Sequence, residues 1–154
     1  MGALAPDVAH FANLILAGVL LGNELATLAV VHPAMRTLTV PAQVAAEQSL
    51  TRRFGVMMPF LMSATLASGI VVSACIDSDG RPLAIPGSAC VAAMLAITFI
   101  GNMPVNLFTL RASPDVDPAE WNRQRRRWDR FHVARVILDA AALALFVLAL
   151  LKVA

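Results

Sequence analysis

The chain has 154 residues, 58% of them hydrophobic and 14% charged, and a formal net charge of +2. With a mean hydropathy of +0.72 it is far more apolar than an ordinary soluble domain and reads as one small integral membrane domain over residues 1–154. Four apolar runs take up nearly the whole length, which excludes a separate soluble catalytic domain and places any activity inside a helix bundle or at its membrane surface.

The first run, residues 8–31, is longer than the apolar stretch of a signal peptide and is led by Asp7 rather than by basic residues, so it is expected to span as a helix. It carries Gly18 and Gly22, small residues that permit close helix contact, and Glu24. Pro33, directly after His32, is expected to stop it. Residues 41–50 have helical propensity and are expected to lie along the interface, capped by Thr39 or a neighbour. The second span, residues 54–76, contains Met57, Met58 and Met62, which read as core filler, together with Ser63, Thr65 and Ser68.

Cys75 and Cys90 bracket a loop with Asp77, Asp79, Gly80, Pro82, Pro86 and Gly87. A disulfide there and two free thiols both stay open. The third span, residues 89–110, contains Asn102-Met103-Pro104-Val105-Asn106, and Pro104 is expected to free a carbonyl near Ile100 or Gly101 and to bend the helix. A turn through Ser113 and Pro114 leads into helix four, which is expected to start near Pro118 or Ala119. It should be amphipathic over residues 118–132, span over residues 133–153, and be the longest element. The expected fold is all-α: a four-helix transmembrane bundle whose fourth helix extends into the cytoplasmic interface.

Arginine sets the expected orientation. Arg36, Arg52, Arg53, Arg111, Arg123, Arg125, Arg126, Arg127 and Arg130 fall at one end of the bundle, against Arg81 and Lys152 at the other. The positive-inside rule then puts the basic end in the cytoplasm and both termini outside, as in a bacterial-type inner membrane. The basic segment should favour anionic lipid head groups; because it abuts a span, it is not read as a nucleic-acid site.

Polar residues converge at that same end. A carboxylate at membrane depth costs roughly 2.5 kcal/mol or more, so Glu24 must pair, line a wet cavity or do chemistry. On helix four, Trp121, Gln124, Arg125, Trp128, His132, Arg135 and Asp139 share one stripe, with Arg135 and Asp139 spaced to pair along the helix. Asn102 and Asn106 repeat on helix three. At about 1.5 Å per residue, Glu24 lies about 12 Å below the basic surface, level with Asn102, Asn106, His132 and Arg135.

Gly22-Asn23-Glu24 with His32-Pro33, then Asn102-Met103-Pro104-Val105-Asn106, then Trp121 through Trp128 to His132 and Arg135, resemble the pattern of the anthrone oxygenase family, small four-helix membrane proteins. The resemblance spans almost the whole chain. It implies a monooxygenase that oxidises an activated carbon of an aromatic polyketide with dioxygen and needs no flavin or haem, so that no cofactor is expected. On that resemblance Glu24 or His132 is the expected base, and Asn102, Asn106 and Arg135 are the expected donors to an oxyanion or peroxide. Trp121, Trp128, Met58 and Asp139 are the expected contacts of a hydrophobic aromatic substrate arriving from the bilayer.

Two other readings stand beside it. Glu24, His32 and His132 are the right ligand types for copper or iron in a metal-dependent oxidase. A non-enzymatic transporter or a lipid-binding or assembly protein would use Arg135 and Asp139 only as a structural pair. A homodimer is compatible with the small residues of the spans. There is no glycine-rich phosphate loop, nucleophile elbow or paired-cysteine metal motif.

Overall fold

The computed structural model describes residues 4–153, and among them every regular element is helical. The elements are α1 (Leu4–Ala26), a π turn (Thr27–Val31), α2 (His32–Met35), α3 (Val40–Cys75), α4 (Arg81–Ile97), a second π turn (Thr98–Asn102), α5 (Met103–Arg111) and α6 (Pro118–Val153). They form four continuous rods, Asp7–Met35, Val40–Cys75, Arg81–Arg111 and Pro118–Val153, each long and apolar enough to cross a membrane.

Short connections make consecutive rods antiparallel neighbours, and α6 returns to pack on α1 as well as on α4, which closes a square. The surface of this bundle is apolar: Phe11, Val19, Val56, Phe60, Ile100, Ile137 and Leu151 are each more than half exposed. The interior holds Asn13, Glu24, His132, Arg135 and Asp139. In water that arrangement would be unstable, whereas in lipid the outer apolar belt is solvated by acyl chains and the polar groups are kept for one another.

Several expected boundaries shift. Pro33 does not stop the first rod, which runs on to Met35, whereas Pro104 sits inside the third as expected. Both prolines follow a π turn by two residues, and in each turn a carbonyl is bonded five residues on: the His32 N–H donates to Thr27 and the Met103 N–H to Thr98. Proline has no N–H for the carbonyl four residues back, and a one-residue slip of the ladder absorbs that defect without breaking the helix. Residues 41–50 are not a separate interfacial helix but the first turns of α3. Thr39 occupies the cap position without a side-chain cap bond. The loop between Cys75 and Cys90 shrinks to Ile76–Gly80, because Pro82 suits the first turn of α4 and starts it early. Both cysteines are free thiols. Helix four begins at Pro118, yet at 36 residues it only equals α3 in length.

Close packing sits elsewhere than at Gly18 and Gly22, where an added β-carbon would meet nothing within 4 Å. It occurs at Gly69 and Gly87, which flank the buried ring of Phe146, and at Gly101, which lies against the Phe131 ring. These glycines let an aromatic ring of α6 approach the neighbouring backbones, and so fix how α6 is rotated.

Candidate functional site

The first π turn leaves Glu24 just ahead of it and points its side chain into the bundle, 1% exposed. Arg135, from α6, donates through Nη2 to Glu24 Oε1, and its Nη1 makes a long 3.5 Å contact with Asn102 Oδ1 at the second π turn. His132, one turn before Arg135, meets the same glutamate twice: Nε2 lies 3.2 Å from the Glu24 carbonyl oxygen, and Nδ1 lies 3.1 Å from Oε2. A carbonyl only accepts, so Nε2 carries a hydrogen. The Nδ1–Oε2 approach is therefore attractive only when one proton sits between the two groups. Its angle falls short of a hydrogen bond, so both atoms remain without a hydrogen-bond partner. An acid–base pair with one unspent lone pair or proton is the result.

Trp128 forms the wall beside it. Its indole stacks on the His132 ring at 4.6 Å, lies 4.4 Å from the His32 ring, and carries the Arg125 guanidinium 5.0 Å from its centre. Its Nε1 donates to Asn106 Oδ1 at 2.8 Å, which orients the amide and leaves Asn106 Nδ2 to donate elsewhere. Asn102 is turned the other way, donating to the Trp128 carbonyl at 3.2 Å.

A cavity of about 300 Å³ opens onto these groups. Glu24, His132, Arg135, Asn106, Trp128 and Met58 line it, with Thr27 and Thr98 from the two π turns. That size is at the lower bound of small-molecule sites. One end is polar and the rest, with Phe54, Leu107 and Leu110, is apolar.

Three expected site residues lie elsewhere. Asn102 stands behind Arg135 rather than in the cavity wall. Trp121 is fully buried outside it, with Nε1 bonded to Gln43 Oε1 at 2.9 Å and its ring near Phe108. Asp139 is fully buried below the site, and neither of its oxygens has a hydrogen-bond partner. The expected pairing of Arg135 with Asp139 is replaced by Arg135 with Glu24, because the guanidinium reaches across to α1 instead of along its own helix.

His32 does not join Glu24 and His132. Its ring centre is 6.0 Å from that of His132, and its Nδ1 faces Glu47 at 3.3 Å. Among the described residues no three His, Cys, Asp or Glu side chains converge as metal ligands, and Glu24 Oε1 is already held by a cation. The residues present therefore do not fit the copper or iron site.

Glu47 is the residue that the sequence reading missed. Buried at 5% exposure, it binds Arg125 Nη2 at 3.2 Å as well as His32. The signal was present: Val44, Glu47, Thr51, Met58 and Met62 follow one helical stripe, which marks α3 as continuous from its first turn and turns Glu47 inward.

Fold and site together define a four-helix membrane bundle that encloses a carboxylate–imidazole–guanidinium cluster beside a small cavity. The chain belongs to the anthrone oxygenase family, whose model matches residues 47–145. The match takes in Glu47, Met58, Asn102, Asn106, Arg125, Trp128, His132 and Arg135, while Glu24 and His32 precede it. No curated protein and no solved structure matches the chain.

Proposed function

We propose that this protein is a membrane-embedded oxygenase that uses dioxygen to convert the activated methylene of an anthrone-like aromatic polyketide into a carbonyl, without metal or organic cofactor. The observation that carries this reading is the Glu24–His132 pair in the cavity lining, whose Nδ1 and Oε2 are buried and unsatisfied while Arg135 holds the other carboxylate oxygen.

The reaction balances as R₂CH₂ + O₂ → R₂C=O + H₂O. The pair removes one methylene proton, and the electrons left behind delocalise onto the substrate's carbonyl oxygen as an enolate. Arg135 and Asn106 Nδ2 are donors that the cavity lining can offer to that developing charge. The enolate passes one electron to dioxygen; the substrate radical and superoxide combine, and the peroxide takes up a proton. Loss of the second C–H proton then breaks the O–O bond, forming the carbonyl and releasing water. Trp128, held beside His132, contributes an aromatic wall for the rings.

The basic end is proposed to face the cytoplasm of a bacterial-type inner membrane, with both termini outside. Oxygen uptake by the reconstituted protein with a panel of anthrones tests the reading, alongside Glu24→Gln and His132→Gln at equal protein level. Turnover that survives undiminished in both variants would discard it.

A further inference from the structure

A second, polar chamber of about 340 Å³ lies nearer the basic end, with Arg36, Asn122, Arg126 and Asp129 in its wall. His32, Glu47 and Arg125 line both chambers. They come from α2, α3 and α6, and their side chains are 7%, 7% and 11% exposed. Glu47 Oε1 holds the other two together at 3.3 and 3.2 Å. The Glu47 cluster with His32 and Arg125 is thus a buried polar partition shared by the two chambers, set between the deep cavity and the basic end.

The flank of the cavity differs. Among its lining residues, those exposed at the outer surface are Arg52, Gly55, Leu107 and Leu110, all from α3 and α5. The surface around them is apolar, with Val56, Phe60, Phe99 and Ile100 exposed. Arg52 is one turn nearer the basic end than Val56, where an arginine can lay its stem on lipid and its head in water. Gly55 lines the cavity on this exposed flank, and a β-carbon there would meet nothing within 4 Å, so the residue borders open space that a longer side chain would enter.

We infer that this gap between α3 and α5 is a lateral mouth through which an uncharged, flat molecule dissolved in the bilayer reaches the cavity, and that Gly55 sets its width. Only the identity of the molecule rests on the oxygenase reading. The mouth presents a substrate with its rings against Leu107, Leu110 and Met58 and its reactive carbon toward Glu24 and His132. Specificity then acts at admission, where a charged compound would have to leave water for an apolar rim.

The full chain in vesicles of brominated phosphatidylcholine tests this without any turnover. Trp128 lines the cavity, whereas Trp121 is sealed from it, so acyl-chain bromine that enters the mouth quenches Trp128. Quenching by bromolipid is expected in the wild type, with most of it lost in Gly55→Leu, more of it in Leu107→Ala, and little quenching by aqueous iodide. Iodide quenching in place of bromolipid quenching would overturn the inference, as would a helical Gly55→Leu protein that quenches like the wild type. Should Gly55→Leu fail to fold, unchanged quenching in Leu107→Ala overturns it equally. Normal quenching with no oxygen uptake would leave the mouth standing and remove the oxygenase reading.

Discussion

Replacing Glu24 with glutamine keeps the shape of the side chain but removes the charge that faces Arg135. Two limits bracket the cost. Polar contacts between membrane helices average roughly 0.6 kcal/mol, because the unfolded state in the membrane finds partners too. Stripping one partner from a buried ion pair costs about 3–5 kcal/mol, because the remaining charge is stranded. At 1% and 7% side-chain exposure, Glu24 and Arg135 belong to the second case. Asp139, one turn further along α6 with both oxygens unpartnered, can draw the stranded guanidinium, so the lower bound of about 3 kcal/mol is expected. Glu24→Gln combined with Asp139→Asn should then cost more than the single change. Glu24→Gln combined with Arg135→Met should cost less than Glu24→Gln alone, since no charge is left behind. Reversible unfolding in mixed lipid–detergent micelles, followed by far-UV circular dichroism, measures the full cycle. A loss below about 1 kcal/mol for Glu24→Gln, the range of exposed pairs, would refute the buried-pair argument. So would a Glu24→Gln/Arg135→Met protein weaker than either single variant.

Other consequences are open to simpler tests. Gly101→Ala drives a methyl group into the Phe131 ring and should destabilise the bundle by about 1–3 kcal/mol. Adding Phe131→Leu should recover part of that loss, and the thermal midpoints of the two variants decide it. Phe146→Ala empties the space between Gly69 and Gly87 and should cost about 3–5 kcal/mol, read by the same unfolding assay. Trp128→Phe keeps a ring beside His132 but loses the bond to Asn106, a loss of about 1 kcal/mol that should slow oxygen uptake about fivefold. Trp121→Phe, outside the cavity, should affect unfolding more than turnover, and the reverse ranking would contradict the placement of the two indoles. Thiol titration of the denatured protein, without reductant, should find both Cys75 and Cys90 reactive.

Much of the fold was readable along the chain, and the reasons are one-dimensional. Hydropathy finds the spans because lipid accepts only backbone that bonds to itself. Rise per residue then sets depth, so Glu24, His132 and Arg135 are placed at one level by counting alone. Rotation about each helix axis is not written that way. A π turn inserts one residue, and at 3.6 residues per turn that rotates everything beyond it by about 100° relative to an unbroken helix. Two such turns, at Thr27–Val31 and Thr98–Asn102, lie next to the site, so the facing of His32, Asn102 and Asn106 could not be counted from the far side of them. The choice of partner was hidden for a related reason. Arg135 has Asp139 one turn away on its own helix, and local spacing favours that pair. Only the seating of α6, set by Phe146 against Gly69 and Gly87 and by Phe131 against Gly101, aims the guanidinium at Glu24. Composition and periodicity therefore determined that a polar cluster must exist near the basic end. Tertiary packing decided which side chains compose it, which indole faces the cavity and on which flank the cavity opens, because azimuth is a property of neighbouring helices rather than of any one of them.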